Sequence, residues 1–261
     1  MAYPHYPGKW LSPGWVNPEK IIDYLKKRGH LLYNPPEAVV LIYSPALAKK
    51  IQKNHKVDLR PFMGGKLGLM KSHKGRLAYL SGFGIGGPAV AAKVEELVAF
   101  GVKRLFSIGT CGGLAKGLQV GSMVLCEEAM RDEGTSYHYL DPQEKTVADP
   151  LLFRKTEAVF KQQGLFVQKG VSWTTDAPYR ETLKEIEEYR RRGVLTVDME
   201  SAAIYAAARF RKISVVCLLV VSDLLNGREW LPSFHQGSVK LGLDLAWKVA
   251  TEALDGEKLT Q

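Results

Sequence analysis

Residues 195–228 read LTVDMESAAIYAAARFRKISVVCLLVVSDLLNGR, from Leu195 to Arg228. Asp198, Met199 and Glu200 stand where an extended segment turns into a helix. Residues 201–210 are rich in alanine and small enough to pack tightly. Residues 213–221 are nearly continuous apolar sequence, the mark of a strand buried on both faces. That strand ends at Ser222-Asp223. Open α/β sheets bind ligands at the C-terminal ends of such strands. The stretch therefore predicts two carboxylates, Glu200 and Asp223, brought to one sheet edge by elements packed directly together.

Outward from this stretch the chain alternates. Strands are predicted at 38–43, 77–81, 104–108, 122–126 and 167–173. Helices are predicted at 46–53, 88–100, 150–163, 181–192 and 236–254. Strands alternating with helices predict a single α/β domain, residues 37–261, built on a mixed, mainly parallel sheet with helices on both faces. Residues 1–36 form an N-terminal extension, irregular apart from a helix at 18–27 with Asn17 as N-cap and Pro18 in its first turn. Trp10 and Trp15 are expected to pack on the body or on a neighbouring subunit.

The bulk numbers narrow the function. The chain has 261 residues, 46% of them hydrophobic, enough for one large core. Lys+Arg 36 against Asp+Glu 27 gives a net charge of +9. The basic residues are dispersed and show no aromatic-interleaved patch, which argues against nucleic acid as a partner. They suit an anionic substrate or a solvated surface equally. Cys111, Cys126 and Cys217 have no metal spacing and imply no disulfide framework, which fits a reducing cytoplasm. The first residues lack a secretion pattern, and no apolar run is long enough to span a membrane.

Four loops could carry chemistry. Gly84-Ile85-Gly86-Gly87-Pro88 follows a strand and opens a helix; it is either an anion cradle of backbone amides or a tight turn needing glycine geometry. Gly109-Thr110-Cys111-Gly112-Gly113 leaves a strand end, where Thr110 presents a hydroxyl and an amide; it too reads as a plain turn. In the block 130–137, Arg131 faces an anion or only solvent. In the block 173–180, Tyr179 could stack on a flat ring and Arg180 could bind an anion or a base edge, or Asp176 or Thr175 simply caps a turn. Glu200 is costly to bury unless paired, although a helix N-terminus also favours it. Asp223 binds a ligand or caps the next segment.

Gly84-Ile85-Gly86-Gly87-Pro88, Ile108-Gly109-Thr110-Cys111-Gly112, Val197-Asp198-Met199-Glu200-Ser201-Ala202 and Ser222-Asp223, in this order over about residues 38–254, resemble the nucleoside phosphorylase-I family. The resemblance implies one α/β domain with a partly barrel-like sheet, forming dimers, trimers or hexamers with sites at subunit contacts. It implies an enzyme that cleaves the N-glycosidic bond of a nucleoside, with phosphate as co-substrate and neither cofactor nor metal. Glu200, with Met199 packing beside it, would bind the ribose hydroxyls, near Thr110. Asp223 would act as acid toward N7 of a purine, while the block 130–136 is more like the loop of uridine-cleaving members. Gly84, Thr110 and Arg131 are the anion-binding candidates. Tyr179 and Arg180 are the base-binding candidates.

The acceptor side departs from the family. The first strand–helix loop, Tyr43-Ser44-Pro45-Ala46-Leu47-Ala48-Lys49, lacks the family's arginine. Gly64 and Ser107 stand where two further phosphate-binding arginines are expected, leaving Lys49, Lys66, Arg131 and Arg180 as possible substitutes. The glutamate with which hydrolytic relatives activate water is also absent. Pro178 replaces the aromatic over the base, so Tyr179 or Trp173 would stack there. His5 resembles the N-terminal histidine that reaches a neighbour's ribose. Hydrolysis by water, and nucleoside binding without catalysis, are the alternatives this pattern leaves open.

Overall fold

The computed structural model describes residue 6, residues 8–225 and residues 229–255. The chain opens with α1 (Pro18–Lys27), β1 (Ala38–Ile42), α2 (Pro45–Asn54) and the hairpin β2 (Val57–Phe62) and β3 (Gly65–Met70). β4 (Leu77–Ser81), α3 (Gly87–Phe100), β5 (Arg104–Gly113) and β6 (Met123–Asp132) follow. Next come β7 (Thr146–Val147), α4 (Pro150–Gln162), β8 (Gln168–Thr175), α5 (Leu183–Arg191) and β9 (Thr196–Asp198). α6 (Ser201–Arg211), β10 (Ser214–Leu224), β11 (Leu231–Pro232) and α7 (Gly237–Leu254) complete the fold.

The strands form one 11-stranded mixed sheet in the order β11-β10-β6-β8-β9-β5-β1-β4-β3-β2, with β7 on β6. β10 also pairs with β5, so β5, β9, β8, β6 and β10 close into a ring. This is the partly barrel-like sheet that the resemblance implied. β1 lies parallel between β4 and β5 and is buried throughout, as its unbroken AVVLI predicts. α3 packs on α6, and α1 on α3; α7 packs on α4 and α2. Asn17 caps α1 by accepting from the Lys20 N–H, and Pro18 sits in its first turn, as read from sequence. Trp15 is exposed rather than packed on the body.

β5 and β6 run well past their expected ends. Residues 109–113 are strand rather than turn: they continue β5 and pair with β10 and β9. Glycine is required there by space. A Cβ on Gly113 would meet Leu224 Cδ2 at 3.0 Å and Val221 Cγ1 at 3.1 Å. β6 continues through Asp132, so Arg131 is a strand residue and not a loop arginine. The β2–β3 hairpin was not predicted. Met63 and Gly64 both have positive φ, 45° and 80°, the pattern of a two-residue hairpin turn. Pro61 is tolerated because β2 is an edge strand.

Candidate active site

The site begins with a helix cap. β9 ends at Asp198, whose buried carboxylate is saturated by donors. Oδ1 accepts from the backbone N–H of Glu200 and of Ser201, both at 2.9 Å, and from Thr174 Oγ1 at 3.0 Å. Oδ2 accepts from Ser172 Oγ at 2.7 Å. A buried carboxylate is stable only with such partners, and here they hold open the N-terminus of α6. The first eight residues of α6, Ser201 to Ala208, are buried, which the alanines allow. Tyr205 fastens the helix: its hydroxyl donates to the Cys126 carbonyl at 2.6 Å and accepts from the Cys217 N–H at 3.1 Å.

With Asp198 doing the capping, Glu200 is released from that role. Its side chain makes no cap bond. Glu200 Oε1 instead accepts from the Gly86 N–H at 2.6 Å. Burial, and next the charge of Asp198, push the Glu200 carboxyl up to about 7. Gly86 has φ 90°, where a side chain would be strained.

Asp223 comes from β10 through a bulge. Val221 pairs with Cys111 and Asp223 with Gly112, leaving Ser222 as the extra residue. Such a bulge re-aims the side chain that comes after it. Ser222 Oγ donates to Asp223 Oδ1 at 2.8 Å, and the Trp230 indole N–H donates to Asp223 Oδ2 at 2.9 Å. Asp223 is thus a strand residue held, among the described residues, by two donors.

Both acids open on one cavity of about 550 Å³. Its wall includes Thr110 from β5, Met199 and Glu200 after β9, Asp223 from β10, Tyr179 and Glu181 before α5, and Trp230. Gly112 is the common point, since it pairs with Val197 on one side and Asp223 on the other. Thr110, Met199, Glu200, Asp223 and Tyr179 are therefore brought together as the sequence suggested.

Others are not. Gly84 is an exposed turn residue with φ 99° and does not line the cavity. The glycine-rich turn reaches the site through Ile85 in the wall and through the Gly86 N–H, which serves Glu200 rather than an anion. Arg180 is exposed and outside the wall. Arg131 is also outside it. The Arg131 guanidinium donates to the carbonyls of Leu140, Asp141 and Glu144 and to Ser136 Oγ, and lies over the Tyr137 ring. That geometry organises the segment after β6. Trp173 is buried, edge-on to Tyr189, and donates to Asp132 Oδ2. It cannot stack on a ligand in the cavity. His5 lies outside the described residues.

At the start of the first strand–helix loop, Tyr43 lines the cavity. Its hydroxyl meets Ser107 Oγ at 3.4 Å and its ring packs edge-on to Phe83. Burial, then the charge of Glu200, push the Tyr43 hydroxyl well up, so it stays neutral. None of the described residues lining the cavity is a lysine, arginine or histidine. Among the described residues no cluster of His, Cys, Asp and Glu could hold a metal ion, and no helix is long and apolar enough to cross a membrane.

Sequence reasoning missed Glu181 and Trp230. Glu181 reads as one of many charges in RETLKEIEEYRRR, and nothing in the sequence ties Trp230 back to Asp223.

A sequence model of the phosphorylase superfamily matches residues 34–254. A DeoD-type purine nucleoside phosphorylase of Alkaliphilus metalliredigens is 29% identical over 219 residues, covering 80% of this chain and 94% of the relative. The fold is similar to that of uridine phosphorylase from Vibrio fischeri, with TM-score 0.74 at 23% identity over 86% of this chain and 95% of that one. It is also similar to purine nucleoside phosphorylase from Toxoplasma gondii, with TM-score 0.75 at 21% identity over 84% and 90% of the two chains. With its family match running through every strand that builds the cavity, the chain belongs to the phosphorylase superfamily.

Proposed function

We propose that the protein is a nucleoside phosphorylase-type enzyme that cleaves the N-glycosidic bond of a purine nucleoside. One observation carries this reading. Glu200 and Asp223, on strand ends that share Gly112, line a single cavity together with Thr110 and Met199. In its ionised form Glu200 accepts from the ribose hydroxyls. Hydrogen bonds to a charged group contribute about 1.5–3 kcal/mol each, and those that tighten as the sugar becomes an oxocarbenium ion accelerate cleavage. The C1′–N9 electron pair leaves with the base, and Asp223 delivers a proton to N7, so the base departs neutral. An acceptor oxygen then closes the bond to C1′.

Phosphate is the acceptor in the leading reading, on the strength of family membership and the relatives' printed activities. Water is the second reading, favoured by the lack of a cation among the described residues of the wall. Residues 37–261 would form the catalytic domain and residues 1–36 an extension. Free, buried cysteines support work in the cytoplasm. Exposed Trp230, Leu231 and Phe234 beside the cavity support a dimer-based homo-oligomer, up to a hexamer.

The test is incubation with inosine, adenosine, methylthioadenosine and uridine, with and without phosphate, monitoring free base and ribose 1-phosphate. Ribose 1-phosphate formed only with phosphate supports phosphorolysis. Base release independent of phosphate supports hydrolysis. Binding without release on every nucleoside overturns the enzymatic reading.

A further inference from the structure

Arg190, Arg191 and Arg192 follow one another at the end of α5 and do different things. Arg191 is exposed and pairs with Glu188, one turn back. Arg192 is exposed and lies over the Tyr189 ring. Arg190 is partly buried and comes four residues after Ile186, which lines the cavity, so the two share a helix face. Arg190 Nε donates to the Leu114 carbonyl at 2.9 Å, and its Nη2 donates to the Leu225 carbonyl at 2.7 Å. Leu114 is the first residue after β5, and Leu225 is the first after β10. The Leu225 N–H in turn donates to the Gly113 carbonyl at 2.9 Å. One planar guanidinium thus spans the tips of the two strands that carry Thr110 and Asp223. Leu114, Trp173, Ile186, Val194 and Val197 form a small apolar cluster apart from the main core, with Leu225 packed against it. α5 is therefore fastened to the strand tips by both a polar and an apolar contact. Arg190 itself does not line the cavity, so any effect on the chemistry passes through the strands it holds.

We propose that Arg190 is a positioning residue: it locks the tips of β5 and β10 together under α5 and so sets where Asp223 meets the leaving base. The inference rests on the nucleoside-cleaving reading above and adds a residue to it. Asp223 stands two residues before Leu225, on the strand that Arg190 holds. The bulge at Ser222 interrupts the regular ladder just before Asp223, so the direction of this tip depends on contacts made after the bulge. A displacement of about 1 Å in a reacting group costs about 10²-fold in rate. Arginine suits the task because its adjacent N–H groups are fixed in one plane, whereas lysine offers a point charge on a flexible stem.

The test is a double-mutant cycle read on purine nucleoside cleavage, with wild type, Arg190→Met, Asp223→Asn and the variant carrying both changes. Arg190→Met should lower kcat by about tenfold or more while KM stays within about threefold. In the Asp223→Asn background the same change should alter kcat by less than about twofold, because the acid it positions is already gone. Arg190→Lys should recover no more than about a third of the wild-type kcat, since it lacks the fork. If Arg190→Met does not fold, Arg190→Lys takes its place in the cycle. An equal loss in both backgrounds, which is what a merely structural arginine gives, overturns the proposal. So does a loss confined to KM, full recovery by Arg190→Lys, or no loss. If wild type cleaves no nucleoside, the cleavage reading falls by itself, and the same cycle is run on equilibrium binding of inosine. A loss of affinity in Arg190→Met that vanishes in the Asp223→Asn background then supports the positioning role; an equal loss, or none, overturns it.

Discussion

The Gly86 backbone N–H donates to Glu200 Oε1 at 2.6 Å, joining the turn before α3 to the acid before α6. A glycine-rich turn at a strand end would ordinarily offer its amides to a bound anion. Here that offer is made to the protein's own carboxylate. One oxygen of Glu200 is fixed by the fold, and in the function proposed above the carboxylate also serves the sugar.

Glu200→Ala should therefore remove most of the turnover. Two charge-assisted hydrogen bonds to the ribose correspond to about 3–6 kcal/mol, a loss of roughly 10²–10⁴-fold in kcat/KM. Because burial raises Glu200 to about 7, kcat/KM should fall as pH drops below that value and the carboxylate takes up a proton. A pH profile of Glu200→Gln should lack this limb at a low residual rate. A variant with near wild-type activity would remove Glu200 from the site.

Glu200 and Glu181 also make stability depend on pH. Both carboxyls rise from 4.5 in the unfolded chain to about 7 in the folded protein, so the native state binds more protons between these values. Their contribution to stability is full below 4.5 and is lost as pH rises through about 7. The double variant Glu200→Gln, Glu181→Gln should lose less stability than wild type between pH 5 and pH 8, as measured by denaturant midpoints. A parallel decline in both proteins would contradict the shifts.

Trp230→Phe keeps an aromatic ring and deletes the N–H that holds Asp223 Oδ2. Trp230 is 56% exposed, so the melting temperature should barely move. Turnover of purine nucleosides should drop by about tenfold, because a loosely held acid is misplaced for the leaving base. Asp223→Asn should remove the proton itself and lower purine cleavage by about 10²–10⁴-fold. Equal rates for wild type and Trp230→Phe would show that Asp223 needs no such support.

Arg131→Lys separates a structural arginine from an anion-binding one. Lysine keeps the charge but cannot reach the carbonyls of Leu140, Asp141 and Glu144 as a fork does. Unfolding free energy should fall by about 2–4 kcal/mol, with no change in the KM for phosphate if phosphate is the acceptor. A rise in that KM at unchanged stability would return Arg131 to the site.

Gly112→Ala tests the junction between the two acids. A Cβ there would meet Leu225 Cδ1 at 2.3 Å and Val197 Cγ1 at 3.0 Å. Overpacking of this kind costs about 1–3 kcal/mol, seen as a lowered denaturant midpoint. Since Val197 and the Asp223 strand both border the residue, purine turnover should fall in the same variant. Unaltered turnover would mean that the strand tips are not mechanically linked.

Glu200 and Asp223 were legible because each interrupts or ends a run that is otherwise apolar. The helix cap at Asn17 was legible for a similar reason: a short polar residue stands directly before periodic sequence, whereas the capping by Asp198 emerged only in the fold. The continuation of β5 was not. Its last five residues contain three glycines, which ordinarily signal a turn, whereas here they make space for Leu219, Leu224 and Leu225. Ring closure was equally hidden, because the pairing of β10 with β5 joins segments about a hundred residues apart and leaves no local mark. Glu181 could not be told from its neighbours, since only the fold distinguishes a charge aimed at a cavity from one aimed at water.

The ring of β5, β9, β8, β6 and β10 has a consequence for motion. A closed ladder cannot open at one seam without disrupting its neighbours, so its amide hydrogens should exchange with solvent only when the whole domain unfolds. Glu200 and Asp223 hang on that frame, while Tyr179, 96% exposed, and Trp230 stand at its rim. In the proposed function, ligand would enter at the rim while the frame held the two acids in register.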